Sequence, residues 1–261
     1  MRKYAAIFRI QLLNSLAYPL EFLGRSVMVV MFLWIFFQLW RTVYAVNGSA
    51  RLEGLSLGDT LWYFMLAESI ELGRPRLAQS IAQAVKEGSI AYLLNKPFDF
   101  LLYQMSAGLG ESAVRMGLTA LFGSAVTWWM VGPPPSSLGW LPTLLLVLGA
   151  WMLHFCVNAL IGLLAFVTEE TTPFEWIYQK LTFVLGGLLI PLDFYPQWLQ
   201  TAARALPFPA MLYGPARYFV QPEAAAFWRT AGMQLAWLLA LGSILVLAYR
   251  GGVRRLVING G

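Results

Sequence analysis

Long apolar runs constrain this chain more than any other feature, because a helix needs roughly 20 such residues to cross the hydrocarbon core of a bilayer. Six candidates fall at 23–44, 57–72, 101–131, 141–167, 176–192 and 227–249. The run 57–72 is short and carries Glu68 and Glu71, while 176–192 contains Lys180 and the pair Gly186 and Gly187. The run 101–131 is too long for one perpendicular crossing, so 98–103 is assigned to an interfacial approach. Only 12% of residues are charged and 59% are hydrophobic, against about 25% charged residues in an ordinary soluble domain. A disordered chain, a disulfide scaffold and an ordinary cytosolic enzyme are therefore excluded. The expected fold class is all-α, a polytopic membrane protein with six transmembrane helices in a single domain over 1–261.

An even number of spans places both termini on one side. Arg2, Lys3, Arg9, Arg25, Arg74, Arg76, Lys86, Lys96, Lys180, Arg250, Arg254 and Arg255 share that side. Arg41, Arg51, Arg204, Arg217 and Arg229 fall on the other, and Arg115 lies inside a span. The excess of basic residues predicts cytoplasmic termini. Trp40, Trp62, Trp128, Trp129, Trp140, Trp198 and Trp228 fall at the predicted outer ends of spans, where an indole is expected to be half wet. Residues 1–20 begin as a signal peptide would, but Arg9, Asn14 and Glu21 interrupt its apolar region. This segment is read as an interfacial helix that leads into the first span after Pro19. Phe8 and Leu12 lie opposite Ile10 and Leu13 on its wheel, a pattern that burial against other protein elements explains.

The most informative loop is 74–97. At about 100° per residue, Leu77, Ala78, Ile81, Ala84 and Val85 form one arc, and Arg76, Gln79, Ser80, Gln83, Lys86 and Glu87 the opposite one. Gly88 is placed to stop this amphipathic helix in a left-handed conformation. Periodicity alone leaves two uses open, a helix lying on lipid headgroups and a docking helix for a cytosolic partner.

Most site chemistry is excluded by scarcity. The chain has one cysteine and one histidine, Cys156 and His154, so no intrachain disulfide, no Cys-based zinc site and no histidine relay is available. Both read as packing residues. No catalytic residue or metal site is assigned, and no phosphate-cradling GxxxxGK[ST] loop for ATP occurs.

The run 85–97, Val-Lys-Glu-Gly-Ser-Ile-Ala-Tyr-Leu-Leu-Asn-Lys-Pro, resembles the cytoplasmic signature of bacterial ABC type-2 (ABC-2 family) export permeases. A second match is 186–193, Gly-Gly-Leu-Leu-Ile-Pro-Leu-Asp, followed by Phe-Tyr-Pro-Gln-Trp-Leu-Gln and then Leu-Pro-Phe-Pro at 206–209. It is similar to that family's fifth span breaking into short helices at the outer face, here over 193–217. Arg254, Arg255, Gly260 and Gly261 agree with the family's C-terminal pattern. The resemblance covers the whole chain and implies a non-catalytic permease subunit in the bacterial cytoplasmic membrane. Such a subunit pairs with a second permease, identical or different, and sits on two ATP-binding cassette subunits. No cofactor is expected on this chain, with ATP and Mg on the partner ATPase. Arg76, Gln79, Gln83, Lys86, Glu87 and Gly88 would form its coupling helix, and Pro191, Asp193 and Pro196 its outer gate. The implied substrates are lipids, glycans, peptides or hydrophobic drugs.

Ionisable residues within spans form a further group: Arg25, Glu68, Glu71, Glu111 and Arg115. Such residues are costly in lipid and face a bundle interior or cavity. They read either as structural ion pairs or as a polar lining or latch, with Glu111 and Arg115 one helical turn apart and Arg115 expected to reach Glu68 or Glu71. Asp193 reads either as a cap for a short helix at 197–205 or as part of the gate. Glu169, Glu170 and Glu175 make an acidic loop, read as a solvated turn or a second ATPase contact. The competing functional classes are an ion-coupled secondary transporter, for which no internal repeat is seen, and an intramembrane enzyme, for which no catalytic motif is seen.

Overall fold

The computed structural model describes residues 2–17, 19–135, 139–168 and 170–259. In chain order the helices are α1 (Arg2–Leu16), α2 (Pro19–Asn47), α3 (Leu57–Leu72), α4 (Leu77–Lys86), α5 (Ser89–Leu94) and α6 (Phe100–Val131). They continue with α7 (Trp140–Leu163), α8 (Thr172–Leu185), α9 (Gln197–Arg204), α10 (Phe208–Met211), α11 (Tyr213–Val220) and α12 (Ala224–Asn259). Among the described residues there is no strand, only an isolated bridge between Leu52 and Leu55.

The short helix α3 forms the centre of the core. Ser56 starts it with a capping box: its hydroxyl accepts from the Asp59 N–H at 3.1 Å, and Asp59 accepts from the Ser56 N–H at 3.0 Å. Leu61, Trp62, Tyr63, Phe64 and Met65 are all buried, because α2, α6 and α11 surround the helix. A stretch of helix apolar all round, as 61–65 is, finds its burial in protein on every side. The expected half-wet position is therefore corrected for two of these tryptophans: Trp40 and Trp62 are buried, whereas Trp128, Trp129, Trp140, Trp198 and Trp228 are exposed.

α1 lies along α6, but protein covers only one side of it: Phe8 and Leu12 are half-buried, whereas Ile10 and Leu13 are exposed, which corrects the expectation that burial accounts for both apolar sides. A methyl group at Gly110 of α6 would stand 2.5 Å from the Phe8 carbonyl oxygen, so the two backbones touch there. The Tyr4 hydroxyl accepts from the Asp99 N–H at 3.0 Å and Lys3 Nζ donates to the Pro97 carbonyl, fixing α1 to the start of α6.

Among the described residues, three helices are long and apolar enough to cross a membrane, within Val27–Asn47, Trp140–Phe166 and Ala224–Gly252. α3 and α8 are short, at 16 and 14 residues. α6 runs unbroken for 32 residues, about 48 Å at 1.5 Å per residue. The segment 98–103 joins its first turn, where Asp99 caps the helix by accepting from the Leu102 N–H at 2.9 Å. The run 176–192 also differs from expectation: its helix ends at Leu185, and the chain continues through Gly186 and Gly187 without helical structure. The Tyr63 hydroxyl donates to the Gly187 carbonyl at 2.7 Å, supplying a partner that the broken helix lacks.

Candidate functional site

The loop helix α4 is amphipathic as its periodicity requires, and its apolar face is covered by protein. Leu77, Ala78, Ile81, Ala82 and Ala84 are buried, chiefly against α7. The approach is close because Gly162 of α7 has no side chain: a methyl there would stand 2.8 Å from Ile81 Cβ and 3.2 Å from Ala78 Cα. Trp151, Phe155, Ala159 and Phe100 complete the apolar bed. This arrangement disfavours the headgroup reading, since the face that would enter lipid is already occupied.

Arg76, Gln79, Ser80, Gln83, Lys86, Glu87 and Gly88 are all exposed along the opposite face. Gln83 Nε2 donates to Glu87 Oε1 at 2.7 Å along the helix. Gly88 has φ +71°, the left-handed conformation glycine adopts without side-chain strain, and its N–H donates to the Val85 carbonyl at 3.1 Å. α5 starts immediately afterwards, so the glycine redirects the chain sharply.

The acidic loop before α8 is tied to α4. Glu170 Oε1 accepts from the Thr172 hydroxyl at 2.6 Å and from its N–H at 3.1 Å, and Glu170 Oε2 pairs with Lys86 at 3.4 Å. The Thr172 hydrogen bonds, reinforced by Lys86, pull the Glu170 carboxyl down to about 2. Glu169 lies outside the described residues.

At the end of α3, just before α4, the ion pairs differ in part from expectation. Glu111 and Arg115 pair at 3.1 Å as neighbours one turn apart. Glu71, however, pairs with Arg74 at 2.8 Å, and Arg115 Nη2 donates to the Arg74 carbonyl at 2.8 Å. The expected Arg115–Glu71 ion pair is thus replaced by a relay through Arg74. The cause is local: Arg74 lies three residues beyond Glu71, just past the end of α3. Glu68 is partly buried one turn earlier, and the Arg25 side chain lies outside the described residues. Arg74 also sits 5.8 Å above the Tyr178 ring, and the Tyr178 hydroxyl meets His154 Nδ1 at 2.5 Å. His154 is therefore a hydrogen-bonded core residue joining α7 to α8.

At the opposite end of the bundle, Pro191 precedes a 3-10 turn over Leu192–Phe194, and Pro196 occupies the N-cap position of α9. Asp193 does not cap α9, which corrects one expected role. Its Oδ1 accepts from the Tyr213 hydroxyl at 2.9 Å, and its Oδ2 pairs with Arg217 Nε at 3.3 Å. The loop aims the carboxylate at α11 and away from the next helix. α10 and α11 are themselves buried, with Met211, Leu212, Ala216 and Val220 inside the protein.

Sequence reasoning missed Arg74, Tyr178, Gly162 and the Asp193–Arg217 pair. Arg74 carried a signal, its spacing from Glu71; Gly162 carried only small size in an apolar run. Among the described residues no cluster of potential metal ligands occurs.

The model of the family described as ABC-2 family transporter protein matches residues 26–260. No curated protein and no solved structure matches the chain. The exposed, protein-anchored loop helix, the apolar helices and this match lead to one assignment: the chain belongs to the ABC-2 transporter family, whose members are integral membrane permeases of ABC transporters and normally work with ATP-binding cassette partners.

Proposed function

We propose that this chain is the permease subunit of an ATP-driven exporter that moves a hydrophobic or amphipathic molecule by alternating access. Residues 1–261 act as one transmembrane domain with six spans, α2, α3, α6, α7, α8 and α12, and both termini in the cytoplasm of a bacterial cell. ATP and Mg belong to a separate ATPase, and a second permease chain completes the path. The chain itself supplies shape and coupling, with no catalytic step.

One observation carries this reading. α4 offers an exposed polar face, Arg76, Gln79, Gln83, Lys86 and Glu87, while its other face is packed on α7 through Gly162. A helix held this way transmits a push, because close-packed interiors pass displacement on instead of absorbing it. Such a push would reach α7 directly and α3 through Pro75 and the Glu71–Arg74–Arg115 relay. Glu68, Glu71, Glu111, Arg115 and Arg25 are the candidates for a latch that rearranges during the cycle. Pro191, Asp193 and Pro196 are the candidates for an outer gate.

Co-purification tests the reading. Extraction in mild detergent is expected to bring down an ATPase chain. The triple variant Gln79→Ala, Gln83→Ala, Lys86→Ala is expected to lose that partner while inserting normally. An unchanged yield of ATPase with the triple variant would move the docking surface elsewhere. No ATPase in several detergents would remove the reading altogether.

A further inference from the structure

Between α11 and the first turns of α12 lies a cavity of about 250 Å³ whose polar lining includes Asp193, Arg204, Arg217, Glu223 and Arg229. Its charges are not balanced internally. Arg217 is committed to Asp193 at 3.3 Å, and that carboxylate is further occupied by the Tyr213 hydroxyl. Arg204 donates to a neutral partner, Gln200 Oε1, at 3.0 Å. Arg229 makes no ion pair or side-chain hydrogen bond among the described residues. Glu223 supplies one carboxylate against these two guanidinium groups and forms an ion pair with neither.

The surroundings are amphipathic. Ala210 and Met233 provide apolar wall. Along α12, the large side chains Trp228, Leu235 and Leu239 are exposed on a stripe facing away from the cavity, which α12 lines with Ala226, Arg229, Thr230 and Met233. An exposed indole beside an apolar stripe marks the depth at which headgroups meet acyl chains.

We infer that this cavity binds a phosphate-class anion, with Arg204 and Arg229 as its ligands and Arg217 held in the wall by Asp193. Guanidinium groups suit this chemistry because their planar fork donates paired hydrogen bonds to phosphate oxygens. The same chemistry has two sources. One is a phospholipid headgroup; the other is a soluble phosphate. The cavity's position at the outer membrane surface rests on the six-span reading, whereas the anion chemistry rests on the side chains alone.

The test uses the purified full chain, stripped of lipid in a neutral detergent and examined by native mass spectrometry. It is titrated separately with dioctanoyl phosphatidylglycerol, with phosphate-free dioctanoylglycerol and with inorganic phosphate. The proposal expects a single bound phosphate-bearing copy whose affinity falls about tenfold or more in Arg204→Gln/Arg229→Gln, as loss of charge-assisted hydrogen bonds requires. The variant Arg41→Gln/Arg51→Gln, with equal loss of charge elsewhere, is expected to bind as the parent does. Phosphatidylglycerol binding far ahead of inorganic phosphate assigns the lipid source; equal affinity assigns the soluble one. Equal binding of dioctanoylglycerol, no saturable binding of either anion, or the same loss in both double variants overturns the proposal. Thermal unfolding checks that each variant is folded, and the single change at exposed Arg229 replaces the pair if it is not. No ATPase is present, so this result stands apart from the co-purification test.

Discussion

The two ends of the bundle hold short helices by opposite means. α4 is one uninterrupted helix, pressed onto α7 by alanine, isoleucine and a facing glycine, with its polar side chains in solvent. The far end is broken at Pro191, Pro196 and Pro207 into short pieces, and polar contacts hold them: Asp193 to Arg217 and Tyr213, and Tyr63 to the Gly187 carbonyl. Dry packing leaves α4 free to move as a rigid body with α7. Hydrogen-bonded pieces instead hold by specific pairs that must break before the segment can rearrange. The first arrangement suits transmission of a push and the second suits a closed state with a definite release point.

The largest effect is expected where polar contacts hold the structure. Asp193→Ala leaves Arg217 without its carboxylate, and the pair keeps side-chain exposures of only 21% and 17%. The expected loss is about 2–3 kcal/mol, somewhat below that of a fully buried pair. Thermal unfolding in detergent measures it, and Arg217→Ala added to Asp193→Ala should cost less than the sum of the single changes. Additive losses would mean that the pair does not hold the segment.

A smaller loss, about 1–3 kcal/mol, is expected from Gly162→Ala, because the added methyl meets Ile81 Cβ and the Ala78 backbone and α4 must shift. The same variant is expected to bind less ATPase, although Gly162 is not itself on the exposed face. Unchanged stability and unchanged co-purification would show that α4 is not seated through this contact.

The smallest effect is at the solvent side of α4. The folded carboxyl of Glu170 sits at about 2, below its ordinary value of 4.5. Its contribution is therefore fully present above the ordinary value and is lost as pH falls through about 2. Hydrogen exchange at the start of α8 should stay slow from neutral pH down to mild acid in the parent. In Glu170→Gln it should be faster across that range, with an unchanged melting temperature. Equal exchange in the two proteins would remove Glu170 as the tie between α4 and α8.

Much of the fold was legible because helix periodicity and apolar length are local properties. The opposed arcs of 76–87, the stop at Gly88 and the proline breaks of 191–209 were all visible in one dimension. The Glu111–Arg115 pair was legible for the same reason, being one helical turn apart. The end of α8 at Leu185 was harder to see, since Leu188, Leu189 and Ile190 continue the apolar run beyond the glycine pair. The placements of Trp40 and Trp62 were misjudged because a tryptophan at a span end is half wet only when no other helix covers it.

The sequence by itself determined that this chain is helical and membrane-embedded, and that one loop helix carries a polar face. Composition and period are enough for that, because lipid requires backbone hydrogen bonds to be made within each helix. Only the tertiary structure decided what lies behind that face and which ions pair. The fit of Ile81 against Gly162, the choice of Arg74 by Glu71 and the turn of Asp193 toward Arg217 are contacts between side chains and neighbouring segments. They depend on distances of a few ångströms that no periodic pattern encodes.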